Sequence, residues 1–168
     1  MSTRSATATA TGLPRRHLRP SARRALLSAH VISSVGLLGA SSALLVLAVS
    51  AATTGDPQLS DSAYRFMAMF GYVFGIPLSF SALISGVALG LGTKWGVFHY
   101  PWVTAKLVLL VTTILSGALV IGPGAEQMID GAGGLGTRLI VASAYNVTAL
   151  VASALLSIYK PGRRRHRR

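Results

Sequence analysis

Four long stretches of the chain hold no Asp, Glu or Arg: Leu26 to Ala52, Phe66 to Gly92, Val103 to Gly122 and Leu139 to Tyr159. Each reaches the roughly 20 apolar residues that a helix needs to cross a hydrocarbon core about 30 Å thick. The runs are continuous, whereas barrel strands alternate polar and apolar over segments of about ten residues. Helices and closed barrels are the structures that satisfy every backbone polar group in lipid, so the pattern predicts helices. The expected fold is all-α, a transmembrane four-helix bundle with spans at about 26–52, 66–92, 103–122 and 139–159. Lys106 is the one lysine in these runs; it lies a turn from a span end, where its stem is expected to reach the interface.

Prolines fit this layout. Pro57, Pro101, Pro123 and Pro161 fall outside the spans or at their edges, where a missing N–H does little harm. Pro77 lies mid-span and predicts a kink, with neighbouring helices or Ser79 compensating the freed carbonyl. Residues 53–65 and 123–138 read as short loops. The second of these carries Gly131-Ala132-Gly133-Gly134-Leu135-Gly136. Without a preceding strand or a following Lys-Ser/Thr pair, it reads as a flexible loop, not a phosphate cradle.

Charge adds orientation. Of 16 basic residues, all but Arg65 and Arg138 lie in the amino-terminal tail, near the connection between the second and third spans, or in the carboxy-terminal tail. All four acidic residues, Asp56, Asp61, Glu126 and Asp130, lie in the two opposite loops. This bias predicts both termini in the cytoplasm of a multi-pass cell (inner) membrane protein. Residues 1–25 and 160–168 then form basic cytoplasmic tails, the first rich in Ser, Thr, Ala and Arg and expected to be disordered. The first apolar run is far longer than the roughly 7 to 15 residues of a signal-peptide core, so it is read as a retained span despite Ala48-Val49-Ser50 near its end. Arg15-Arg16 and Arg23-Arg24 are a weak twin-arginine pattern in so basic a tail.

The formal net charge of +12 raises the question of nucleic acid. Its confinement to tails beside spans argues instead for topology and for contact with anionic lipids of the inner leaflet. Only 12% of residues are charged, about half of what soluble domains carry, and mean hydropathy is +0.56. There is no cysteine, which excludes disulfides, thiolate metal sites and a thiol nucleophile.

Close helix approach in lipid depends on small residues. The second span offers Gly71, Gly75, Ser79, Ala82, Gly86 and Gly90, including two Gly-x-x-x-Gly pairs, and is expected at the centre of the bundle. The first offers Ala29, Ser33, Gly36 and Ala40. The fourth offers Ala142, Asn146, Ala149, Ser153 and Ser157. Asn146 is the one amide in any span and is expected to bond to another helix. The same stripes would equally serve a homo-oligomer or another membrane protein.

Candidate chemistry is sparse. With no carboxylate in the spans, acid–base pairs, carboxylate metal cages and proton-relay acids are missing, which argues against an enzyme and an ion-driven transporter. His17 and His166 sit among arginines in the tails. His30 falls about one turn into the first span and shares a face with Ser34, Leu37 and Ser41. His99 lies in the connection Thr93 to Trp102 at similar depth. Their default reading is a hydrogen-bonded packing His30 and an interfacial His99; the alternative is bis-histidine ligation of haem b, or a quinone headgroup site. Trp95, Phe98, Tyr100 and Trp102 read as an interfacial aromatic belt, or as a docking surface for a partner or quinone.

Two segments carry a resemblance: Ala29-His30-Val31-Ile32-Ser33-Ser34-Val35-Gly36-Leu37-Leu38-Gly39-Ala40, and Ser85-Gly86 through Leu91-Gly92-Thr93-Lys94-Trp95-Gly96-Val97-Phe98-His99-Tyr100-Pro101-Trp102 to Leu107. Over most of residues 25 to 120 the chain resembles an uncharacterised family of small four-span membrane proteins common in actinobacteria. The resemblance implies a fold and a location and carries no activity. The expected function is structural, assembly or regulatory, without a catalytic centre, metal or cofactor of the chain's own. The alternatives are a haem- or quinone-linked electron-transfer subunit using His30 and His99, and a small-solute transporter or channel.

Overall fold

The computed structural model describes residues 19–92, 101–131 and 133–159. Over these the chain is helical, with four helices long and apolar enough to cross a membrane: α1 (Pro20–Thr53), α2 (Pro57–Leu91), α3 (Pro101–Ile129) and α4 (Gly136–Tyr159). Among the described residues there is no strand. The first three helices open on proline, whose missing N–H would be unbonded in a first turn anyway. At α2, Asp56 adds a side-chain cap, its Oδ1 accepting from the Gln58 N–H at 2.9 Å.

The helices overrun the apolar runs. With 34 residues, α1 is about 50 Å long at 1.5 Å per residue and projects past the bilayer core. Residues 20–25, assigned to a disordered tail on composition, are its first turns. The loops shrink too: α2 begins at Pro57, and α3 continues through Pro123 to Ile129. Gly131 (φ +86°) and Gly134 (φ +92°) then take the left-handed conformations that turn the chain into α4.

Both internal prolines are accommodated by the same device. A π-turn at Gly71–Gly75 precedes Pro77, with the Ile76 N–H bonded to the Gly71 carbonyl. A second at Gly117–Ile121 precedes Pro123, with the Gly122 N–H bonded to the Gly117 carbonyl. Widening the turn by one residue absorbs the clash that a proline ring makes with the carbonyl four residues back. Ser79, the residue expected to compensate Pro77, donates instead to the Ile76 carbonyl at 2.9 Å.

The helices stand in a ring in chain order, α1 packing on α2 and α4, and α3 on α4 and α2, while diagonal pairs barely meet. The central position expected for α2 therefore does not exist, because in a ring each helix has two flanks to cover. The end of the ring that carries the acidic residues is tightly closed. Leu44, Ala48, Ala51, Ala63, Tyr64, Met67, Ile121, Ala125 and Leu139 form its core, drawn from all four helices. Gly124 permits this fit, since a Cβ there would meet Leu139 Cδ2 at 2.8 Å. The two π-turns touch, and beyond them, toward the basic end, α2 and α3 pack less closely. Large apolar side chains such as Ile32 (70% exposed) and Leu119 (67%) point outward, as lipid-facing residues do.

Candidate functional site

Where α2 and α3 separate, the bundle holds a cavity of about 670 Å³ lined by all four helices. Its walls are mostly apolar, with Leu37, Leu83, Leu107, Leu110 and Leu150 among them. The polar lining comes from Arg23, His30, Ser34, Lys106, Ser153 and Ser157, spread over α1, α3 and α4.

His30 is half-buried on α1 and faces α2. Its Nδ1 lies 3.1 Å from the Ala82 carbonyl oxygen and 3.1 Å from Ser85 Oγ. A carbonyl can only accept, so Nδ1 carries the hydrogen and, in the neutral ring, Nε2 is the lone-pair nitrogen. Ser85 Oγ itself donates to the Ser81 carbonyl at 2.6 Å, which frees its lone pairs for the imidazole. Gly86 makes room for the ring: a Cβ there would stand 3.0 Å from His30 Cε1. One turn on, Ser33 Oγ and Ser81 Oγ bond at 2.7 Å and extend the same α1–α2 seam.

Lys106 lies five residues into α3, level with the last turn of α4. It turns onto the cavity wall and donates from Nζ to Ser157 Oγ on α4 at 2.6 Å. Ser157 in turn donates to the Ser153 carbonyl at 3.1 Å. The signal was present in the sequence as a lone lysine in an apolar run, opposite a span whose small stripe ends in two serines.

The other residues singled out for packing divide. Gly36 faces Leu78, with Cβ-to-Cδ distances of 3.2 and 3.3 Å, and so lies at a helix contact. Gly90 lines the cavity. A Cβ on Gly71 would meet nothing within 4 Å, and one on Gly75 only the Phe70 carbonyl of its own helix at 3.9 Å. These two glycines bracket the π-turn and touch no other helix closely. Asn146 is buried at 4% exposure, yet no hydrogen bond joins it to another helix among the described residues, and its Oδ1 has no partner. Ser143 Oγ, on the same face of α4, is likewise buried without a partner. His99, with Lys94, Trp95, Phe98 and Tyr100, lies outside the described residues, as do His17 and His166. Among the described residues no three His, Cys, Asp or Glu side chains gather into a metal site.

A family model described as a predicted integral membrane protein matches residues 24–133. The chain belongs to this family, DUF2269. No curated protein and no solved structure matches it. The DUF2269 match takes in His30, Gly86 and Lys106 and both π-turns, and ends before α4 begins. The family is of unknown function, and neither it nor the geometry indicates catalysis. As a DUF2269 protein with four spanning helices, the chain is a multi-pass integral membrane protein.

Proposed function

We propose that this protein is a structural, assembly or regulatory membrane subunit without a catalytic centre of its own, with both termini in the cytoplasm and its basic tails against an anionic leaflet. The observation that carries the reading is the use made of His30. Its one N–H is engaged by Ala82 and Ser85, so the imidazole serves as a clamp between α1 and α2. Interhelical hydrogen bonds of this kind contribute on average about 0.6 kcal/mol in membrane proteins. Ser33 with Ser81, Lys106 with Ser157 and Tyr145 with Thr112 likewise join helix to helix. Association with a second copy or another membrane protein belongs to the same reading.

Purification after haem-supplemented expression tests it: a colourless protein is expected, and His30→Ala is expected to lower thermal stability without altering any spectrum. A second reading, a haem b or quinone electron-transfer subunit, draws on the lone pair of His30 Nε2 and on the cavity that His30 lines. A backbone carbonyl holding Nδ1–H is also the usual way a ligating histidine is oriented. A Soret band in the purified protein that disappears in His30→Ala would establish this reading and displace the first.

A further inference from the structure

We propose that the cavity between the four helices binds one anionic phospholipid, with Lys106 and Arg23 holding the phosphate and the leucine-lined walls taking acyl chain. Three observations lead there.

The first is an uncompensated charge. Lys106 sits in a membrane helix on the wall of a partly open cavity, and its partner is a neutral hydroxyl, Ser157 Oγ. A cation partly withdrawn from water is stabilised by a counter-charge. The chain cannot supply an acidic side chain here. Its four carboxylates, Asp56, Asp61, Glu126 and Asp130, are all at the opposite end of the bundle. The ion pair found among the described residues, Arg65 with Asp61 at 2.7 Å, is at that far end too.

The second is the second cation. Arg23, in the first turns of α1, lines the same cavity, so two positive groups from different helices face one volume. Two cations facing one cavity repel each other, and an anion between them replaces that repulsion with attraction to both. His30 adds no donor in its neutral form, because its N–H is already held by Ala82.

The third is amphipathicity. A free inorganic anion would leave most of a largely apolar cavity empty. The volume of about 670 Å³ falls among the roughly 300–1,000 Å³ typical of sites that enclose small organic ligands. Basic pockets between membrane helices are a known way of recognising phosphorylated headgroups. A headgroup at the cations with a chain along Leu37, Leu83, Leu107 and Leu110 satisfies charge and apolar surface together.

Thermal unfolding of the full chain in neutral detergent, with added phosphatidylglycerol, phosphatidylcholine or inorganic phosphate, tests the proposal. Phosphatidylglycerol is expected to raise Tm by several degrees, as a ligand of the folded state does, and the other two to leave it unchanged. Lys106→Gln and Arg23→Gln are each expected to weaken the apparent phosphatidylglycerol affinity about tenfold, the loss of one charge-assisted contact. Arg24→Gln, an exposed neighbour that does not line the cavity, is expected to leave it unchanged; because Arg23 is also exposed, its variant keeps the test valid if Lys106→Gln fails to fold. Equal shifts with phosphatidylcholine, reproduction of the effect by phosphate alone, or an equal loss in Arg24→Gln would each overturn the assignment.

Discussion

A Cβ built on Gly86 of α2 would stand 3.0 Å from Cε1 of His30 on α1, closer than a methyl group and an imidazole normally come. The ring cannot easily retreat, because its Nδ1 is held by two groups on α2. Gly86→Ala is therefore expected to separate the seam at the mouth of the cavity and to cost about 1–3 kcal/mol, the usual range for overpacking. Gly39→Ala, where a Cβ would meet nothing within 4 Å, is expected to leave stability unchanged or slightly raised. Thermal denaturation of the two variants in one detergent checks the contrast; equal losses would count against the seam.

A second contact ties the π-turn of α2 to the end of α3. Tyr72 Oη donates to Glu126 Oε1 at 2.7 Å in an exposed setting. Tyr72→Phe should therefore cost no more than about 1 kcal/mol, and Glu126→Gln, which keeps an acceptor, should cost less still. If Glu126→Gln proved the more damaging of the two, the bond would not be what Glu126 contributes.

Ser143 and Asn146 lead to a prediction of opposite sign. Both carry buried oxygens without partners. An unsatisfied buried polar group costs about 1–3 kcal/mol, so removing it should stabilise. Ser143→Ala and Asn146→Leu are expected to match or exceed the parent in thermal stability. A clear loss in Asn146→Leu would mean that the amide holds a ligand or a neighbouring copy.

Orientation is open to direct labelling because the chain contains no cysteine. Gln58→Cys and Gln127→Cys place single thiols at exposed positions of the acidic end. In intact cells both are expected to react with a membrane-impermeant maleimide. Protection of both until the membrane is permeabilised would reverse the assigned topology.

The number of helices and their approximate bounds could be read from composition because a missing charge in lipid is a strong signal that depends little on neighbours. Position 30 was equally legible as a polar exception on a face shared with Leu37 and Ser41, both now buried. What the pattern concealed was the path of the backbone. A small-residue stripe extrapolated at 3.6 residues per turn assumes an unbroken α-helix, and the π-turn at Gly71–Gly75 adds a residue within it. Gly71 and Gly75 thus serve the turn, while Ser79 and Ala82 are buried farther along. Pro123 misled for the same reason: a proline that would end an α-helix is carried through when a widened turn precedes it. Lys106 was placed by its distance from a span end, and no one-dimensional measure of depth says which way a side chain turns.

The pairing of those two π-turns divides the molecule mechanically. On one side, four helices interlock around Ala48, Met67 and Leu139 and leave no slack. On the other, the distal arm of α2 is bonded to α1 through His30 and Ser33, and that of α3 to α4 through Lys106 and Thr112, so the loose contact is the one between α2 and α3. The ring is thus weakest along one flank, where a guest in the cavity would press on the α2–α3 contact while the α1–α2 and α3–α4 pairs hold.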